Sequence, residues 1–151
     1  MPHMPTFGEL PACDSGMPLR TGLDLVEIRR IQESLDRFGD RFVKRLFSTQ
    51  EIAYAFSHPA RIAEHLAARF AAKEAAIKAF ALSEVGTGWR DIEVRRAADG
   101  TPGLILHGRA AEAAARLGVK GMALSLSHDG GYAAAVVTAW CADTPRSPAP
   151  G

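Results

Sequence analysis

Apolar and polar residues recur with strand and helix periods between residues 19 and 141. Residues 19–26, LRTGLDLV, are rich in leucine and predict a strand that runs into a helix. In that helix the apolar residues recur at spacings of three, four and three: Ile28, Ile31, Leu35 and Phe38. This stripe is typical of an amphipathic helix, and Gly39 is expected to end or bend it.

Two further helices are predicted before the middle of the chain. STQE at 48–51 is a capping box, in which Ser48 can cap the helix and Glu51 can reach back, so a short helix should run to about Phe56. The His58-Pro59 pair breaks it. A long third helix is expected over about 61–82.

The second half of the chain predicts two hairpins and one more helix. Residues 90–97 and 103–108 flank the turn-rich ADGTP, and 121–128 and 132–140 flank DGG. Between the hairpins lies RAAEAAARLG, with Gly118 in the position that follows a helix end. The order β-α-α-α-β-β-α-β-β predicts the α+β class, an antiparallel sheet covered by helices.

The two ends of the chain have a different composition. Residues 1–18 and 142–151 are rich in Pro, Gly and Ser and lack periodicity, which predicts flexible segments. Residues 19–141 are expected to form one domain. The 151 residues are 47% hydrophobic, enough for a buried core.

Charge and cysteine content exclude several classes of protein. The formal net charge is +1, so no global field marks a nucleic-acid-binding protein. Cys13 and Cys141 lack metal-ligand spacing and are expected to be unpaired thiols. With no signal-peptide pattern and no apolar run long enough for a bilayer, we expect a soluble, cytoplasmic protein without membrane or nucleic-acid partners.

The third helix carries charges next to its apolar face in RFAAKEAAIKAF, residues 69–80. At 100° per residue, the apolar side chains fall within an arc of about 80°. Lys73 falls inside that arc, Arg69 and Glu74 lie on its borders, and Lys78 lies one step beyond Glu74. One interpretation is a Glu74–Lys78 surface pair with the other cations snorkelling to water. The alternative is that the cations hold phosphate and the carboxylate holds a metal ion, since unpaired charges near a core are costly.

Two other segments carry polar groups where strands end. Asp24 and Glu27 lie where the first strand becomes a helix, and Gly22 would permit close approach of another backbone. SLSHDGG contains Ser127, His128 and Asp129 at the end of a strand. Asp24 taken alone could be a helix N-cap, and a histidine in a turn is more often solvated than catalytic.

In this order, four stretches resemble the holo-[acyl-carrier-protein] synthase family, the small type of 4′-phosphopantetheinyl transferase. They are GLDLVEIRRI, RFAAKEAAIKAF, WRDIEV with DGTP, and SLSHDGGYAAAVV, and they span about residues 22–137. The resemblance implies an enzyme of fatty-acid or related acyl-chain biosynthesis. It would move 4′-phosphopantetheine from coenzyme A to a serine hydroxyl of an apo acyl carrier protein and release 3′,5′-ADP.

The resemblance also implies roles for individual residues. Asp24 and Glu74 would bind Mg²⁺, which typically takes one or two carboxylates together with substrate phosphates and water. The catalytic residues would be Asp24, Glu74, Lys78 and His128. The residues that bind coenzyme A would be Arg69, Lys78, Pro102, Ser127 and His128.

A cationic surface is expected to dock the acidic helix of the carrier. Residues 29–45 hold six cations and three acids, and Arg30, Arg37 and Arg41 would project on one side if the helix stays regular past Gly39. A merely solvated face is the alternative. The resemblance further implies a homotrimer with active sites between subunits.

The chain departs from the family pattern at Arg20 and Ala81, where glycines are expected, and at Thr101, where lysine is common. These departures suggest a divergent member that serves a dedicated carrier. Two competing hypotheses are a non-catalytic module that only binds the carrier, and an unrelated metal-dependent phosphohydrolase that uses the same acids.

Overall fold

The computed structural model describes residues 18–142. The predicted flexible segments 1–18 and 142–151 therefore lie almost entirely outside the described residues, as does Cys13. The described elements, in chain order, are β1 (Leu19–Glu27), α1 (Ile28–Phe38), α2 (Asp40–Leu46), α3 (Thr49–Phe56), α4 (Ile62–Phe80), β2 (Ile92–Arg96), β3 (Pro102–Leu106), α5 (Gly108–Arg116), β4 (Val119–Asp129) and β5 (Tyr132–Cys141). Among these residues no helix has the length and hydropathy that a membrane span requires.

The strands form two antiparallel sheets rather than one. The larger has the order β1-β5-β4, and β2 pairs with β3 in a separate hairpin. In the larger sheet Asp24 pairs with Ala135, so the first strand of the domain is joined to the last. The predicted α+β class is confirmed, but its strands divide into two sheets.

Helix α4 packs across the inner face of the larger sheet and contributes much of the core. Its alanines at 71, 72, 75 and 76 are fully buried, and these small side chains let the helix lie close to the strands. The closest approach is at Gly22 of β1. A Cβ built on Gly22 would lie 1.9 Å from the Ala75 carbonyl oxygen, so the site admits glycine alone.

Helix α1 does not continue past Gly39. Gly39 has φ 53° and ψ −130°, outside the helical region, and a separate helix, α2, follows it. The sequence did not predict α2 as an element of its own. Arg41 thus lies on a different helix from Arg30 and Arg37, and the condition for all three to share one regular face is not met.

The predicted caps at two other helices are present. Ser48 Oγ accepts a hydrogen bond from the Glu51 N–H at 3.2 Å, and Glu51 Oε1 accepts one from the Ser48 N–H at 2.8 Å. Both bonds of the capping box at α3 are therefore formed. Gly118 follows the end of α5 with φ 74°, the left-handed conformation expected of a glycine in that place.

Candidate active site

Asp24 is held on the inner face of β1, where it faces α4. Side chains alternate along a strand, so Gly22, Asp24 and Val26 share the face that packs on the helix. Lys78 Nζ donates to Asp24 Oδ1 at 3.0 Å and to the Leu23 carbonyl oxygen at 2.9 Å. The structure thus brings together two residues that lie 54 positions apart in the chain.

Glu74 lies one helical turn before Lys78 on α4, half-buried. Burial raises the pKa of the Glu74 carboxyl, the negative charge of Asp24 raises it further, and the Lys78 ammonium opposes both effects. Asp24 and Glu74 also line the same cavity. The structure therefore brings Asp24, Glu74 and Lys78 together, as the sequence predicted.

Both carboxylates line one open cavity of about 630 Å³. Its walls also contain two arginines of α1, Arg30 and Arg37, and the aromatic rings of Phe42, Phe70 and Trp89. The rings of Phe70 and Trp89 lie 5.2 Å apart, centroid to centroid. The sequence did not predict Trp89 as a site residue; the only signal was its place in the WRDIEV motif.

The donors in this cavity fit a magnesium ion that keeps most of its water. Within residues 18–142 no group of three or more His, Cys, Asp or Glu side chains forms a metal cage. Mg²⁺ does not need one, because it usually binds through one or two carboxylates and completes its shell with water and phosphate oxygens. Asp24 and Glu74 supply that number of ligands, and a cation between them would offset the repulsion from Asp24 that, after burial, raises the pKa of Glu74.

Lys73 does not belong to this site. Its side chain is fully buried, and its Nζ donates to Glu51 Oε1 at 2.8 Å, to the Trp89 carbonyl at 3.1 Å and to the Ile92 carbonyl. The interpretation that the cations of α4 hold phosphate is wrong for Lys73, because its three donors are all used within the protein. The apolar arc correctly indicated its burial.

Arg69 is also buried, one helical turn before Lys73 on α4, and belongs to a second cationic cluster. Its guanidinium carbon lies 4.2 Å from the centroid of the Tyr54 ring, and that of Arg96 lies 5.0 Å from it. His58 and His65 pack against the same ring. Arg69 Nη1 donates to the His65 carbonyl at 3.1 Å, whereas its buried Nε has no hydrogen-bond partner among the described residues.

His128 lies away from the two carboxylates. Its Nδ1 is 2.6 Å from Glu64 Oε1, on the first turn of α4. Glu64 precedes Glu74 by ten residues, which is about 15 Å along a helix. Ser127 precedes His128 on the exposed face of β4, and Pro102 begins the neighbouring strand β3. None of these three residues lines the cavity that contains Asp24 and Glu74 in one copy of the chain.

Two departures from the family pattern lie at the end of α4. Arg20 Nε donates to the Ala79 carbonyl at 2.6 Å, so its cation satisfies a carbonyl in the last turn of the helix. Ala81 follows the helix with φ 53° and ψ 46°, and it is the only non-glycine residue with positive φ in the described region. A glycine would adopt this conformation without strain.

Comparison with known proteins gives one consistent result. A model of the 4′-phosphopantetheinyl transferase superfamily matches residues 20–137. A holo-[acyl-carrier-protein] synthase of Solibacter usitatus is 49% identical over 118 residues, which cover 74% of this chain and 90% of that protein.

Solved structures show the same similarity. The ACPS–CoA complex of Chronobacterium ammoniagenes has a TM-score of 0.71 and 36% identity, covering 83% of this chain and 98% of that one. The Helicobacter pylori holo-[acyl-carrier-protein] synthase in complex with coenzyme A has a TM-score of 0.66 and 30% identity, covering 79% and 98%.

Proposed function

This chain belongs to the 4′-phosphopantetheinyl transferase superfamily, and from that premise we propose that it is the enzyme that loads an acyl carrier protein. It transfers 4′-phosphopantetheine from coenzyme A to a serine hydroxyl of the apo carrier and releases 3′,5′-ADP. The observation that carries the proposal is the pairing of Asp24 and Glu74 in one cavity, with Lys78 bound to Asp24.

The reaction is a phosphoryl transfer, in which positioning and charge neutralisation supply most of the catalysis. The serine oxygen forms a bond to the phosphorus next to pantetheine, and the bond from that phosphorus to the oxygen of the ADP phosphate breaks. The serine proton goes to a carboxylate of the Asp24–Glu74 pair, directly or through water. Lys78, half-exposed beside Asp24, neutralises negative charge on the phosphate oxygens.

We propose Asp24 and Glu74 as the residues that hold Mg²⁺. When bound, the ion would act as a Lewis acid towards the diphosphate of coenzyme A. Two carboxylates that repel each other across a cavity are stabilised by a cation between them, which is why this pair supports a metal site.

We propose that Arg69, Pro102, Ser127 and His128 also bind coenzyme A. For Arg69 the geometry supports an anion site, because two guanidinium groups around one tyrosine ring repel each other and an anion would offset that repulsion. Burial, followed by the charge of Arg96, lowers the pKa of Arg69. Pro102, Ser127 and His128 are proposed only through the family resemblance.

We also propose the homotrimer implied by the resemblance. The outer face of the larger sheet exposes a row of large apolar side chains, with Leu23 61% and Leu25 62% exposed beside Val136. Burial of this face against other copies would also let one subunit bring His128 to the carboxylates of another. The carrier-docking role of Arg30, Arg37 and Arg41 and the cytoplasmic location remain predictions as well.

Incubation with coenzyme A, Mg²⁺ and an apo acyl carrier protein tests the proposed activity. We expect the carrier to gain the mass of one phosphopantetheinyl group and 3′,5′-ADP to accumulate in equal amount. Asp24→Asn serves as the control that lacks one carboxylate. Release of ADP without modified carrier would indicate a hydrolase, and no reaction would indicate a binding module; either result would reject the proposal.

A further inference from the structure

A buried network centred on Lys73 lies directly behind the active-site cavity. The side chains of Lys73 and Glu51 are both 0% exposed, and the Lys73 ammonium has three donors for three acceptors: Glu51 and the carbonyls of Trp89 and Ile92. Glu51 also accepts from the Val94 N–H at 3.1 Å. Its carboxylate thus links α3 to β2, while Lys73 links α4 to the 3-10 turn Trp89–Asp91.

The buried Lys73–Glu51 pair is expected to contribute little to the free energy of unfolding compared with apolar side chains. A buried ion pair gains little over apolar side chains of the same volume, since desolvation of both charges offsets their attraction. Burial lowers the pKa of Lys73, and the Glu51 carboxylate opposes that effect. What the network provides is geometry, because Lys73 binds the carbonyl of Trp89 in the turn and that of Ile92 just after it, and so ties the turn to α4.

The turn Trp89–Asp91 contributes Trp89 to the wall of the cavity. The Trp89 backbone is held by Lys73, and its ring packs on Phe70, also on α4. Both rings line the cavity that contains Glu74, the residue that follows Lys73 in the sequence. Arg30, on the predicted docking helix, lines the same cavity. The cavity therefore joins the docking helix to the carboxylates.

We propose that Lys73 is a positioning residue for the transfer reaction, acting through Trp89 to shape the path by which the carrier serine reaches Asp24 and Glu74. The proposal rests on the proposed function. Lys73 touches neither substrate; it holds the Trp89 turn, and Trp89 sets the width of the path. A displacement of about 1 Å in such a wall can reduce a rate by as much as about 100-fold.

Fluorescence tests the structural part without any assay of transfer. Trp89 and Trp140 are the two tryptophans of the chain, so a Trp140→Phe background reports on Trp89 alone. In that background Lys73→Met, which keeps the length but removes the three donors, should shift the Trp89 emission to longer wavelength and increase acrylamide quenching. An unchanged emission and quenching in a folded Lys73→Met protein would overturn the proposal.

A double-mutant cycle tests whether Lys73 acts through Trp89. Lys73→Met should lower kcat/KM for the apo carrier by about 10-fold, with KM for coenzyme A changed less than about twofold. In a Trp89→Ala background the same substitution should have no further effect on kcat/KM. Fully additive effects would show that Lys73 does not act through Trp89 and would overturn the proposal.

Two controls separate positioning from stability and from the proposed function. Val137→Ala, a buried change on β5 outside the cavity, should lower the melting temperature without moving Trp89 emission or carrier kcat/KM. An equal loss of kcat/KM in Val137→Ala would overturn the proposal.

If Lys73→Met does not fold, Glu51→Gln replaces it, and an unchanged Trp89 emission in Glu51→Gln would also overturn the proposal. Absence of transfer by the unmodified protein would reject the function while the fluorescence result still stands.

Discussion

Glu74 shares its cavity with a second carboxylate, and its local environment disfavours its charge. Burial and Asp24 both raise the pKa of Glu74, so ionisation costs free energy that the folded protein supplies. Such a cost is expected of a residue kept for binding a cation rather than for stability.

Replacing Glu74 should therefore separate activity from stability. Glu74→Gln should reduce transfer by at least about 100-fold, because even the loss of groups behind a metal ligand costs 10–100-fold. At pH 7 its melting temperature without Mg²⁺ should rise, since the neutral amide removes the repulsion from Asp24. Calorimetry and the mass-based transfer assay measure the two effects. Transfer at the unmodified rate would refute the metal role of Glu74.

Ala81 offers a test of backbone strain. An alanine in the left-handed conformation costs about 1–2 kcal/mol, part of which glycine recovers despite its greater freedom when unfolded. Ala81→Gly should raise the free energy of unfolding by about 0.5–1 kcal/mol in urea titrations. Ala53→Gly, within α3, is the matched control and should lower it by about 0.5–1 kcal/mol. The same sign for both would contradict the assignment of strain.

At the residue scale, the sequence supported predictions of burial better than predictions of partners. The helical arc placed Lys73 inside the core, which is correct. Its partner Glu51 lies 22 residues earlier, where the sequence indicates only a capping box. A pair of residues so far apart in the chain leaves no periodic signal in the sequence. The contribution of Trp89 could not be predicted for the same reason, because Lys73 binds its carbonyl.

At the scale of elements, the contact between β1 and α4 positions the active site. The helix can lie against Gly22 because no side chain intervenes, and Asp24, two residues along the same face, is thereby brought to Lys78. Gly22 does not have a positive φ, so the backbone conformation does not require glycine here. The close packing of the helix does.

Gly22→Ala should disturb both the fold and the site. The added methyl would overlap the Ala75 carbonyl, and overpacking of this kind typically costs about 1–3 kcal/mol. We expect a lower urea midpoint and reduced transfer even where the protein is fully folded. Gly103→Ala is the matched strand control, because its Cβ would meet nothing closer than 3.9 Å. Equal stability of Gly22→Ala and Gly103→Ala would contradict the close contact.

Helix α1 carries the prediction about the carrier. Arg30→Glu should weaken carrier binding by roughly 10-fold at low salt, and less at higher salt, because screening shortens the range of the interaction to about 10 Å at 0.1 M. Coenzyme A affinity should stay unchanged in calorimetric titrations. Lys120→Glu makes the same charge change on exposed β4 and should have little effect. A loss that does not depend on salt would mean a structural role for Arg30.

The types of the helices and strands could be predicted from the periodicity of apolar residues, but the boundary between α1 and α2 could not. The stripe of α1, the capping box of α3 and both hairpins were predicted at nearly their observed positions. The break at Gly39 was anticipated, but seven residues of α2 were not, because a short helix leaves too few turns for a periodic signal. For that reason the sequence did not show that Arg41 lies on a different helix from Arg30 and Arg37.

At the scale of the whole molecule, the exposed apolar face of the larger sheet predicts self-association. Leu23→Glu places a charge opposite Val136 on that face and should convert the proposed trimer to monomer, with loss of transfer. Sedimentation equilibrium measures the mass. Ala115→Glu adds the same charge on exposed α5 and should remain trimeric. A monomeric unmodified protein that is fully active would refute the trimer.

The family and the α+β class could be predicted from sequence because four motifs kept their order along the chain. The division of the strands into two sheets could not be predicted from the sequence, since local patterns do not specify which strands pair. The distance between His128 and Glu74 within one copy was likewise beyond local patterns.

The pairing of β1 with β5 has a consequence for biosynthesis. Asp24 emerges from the ribosome long before the strand that fixes its register, Tyr132–Cys141. Contacts of such sequence separation form late and slow folding. A nascent chain that ends before residue 132 leaves Asp24 without its neighbouring strand, so catalytic competence should arise only after synthesis of the domain is complete.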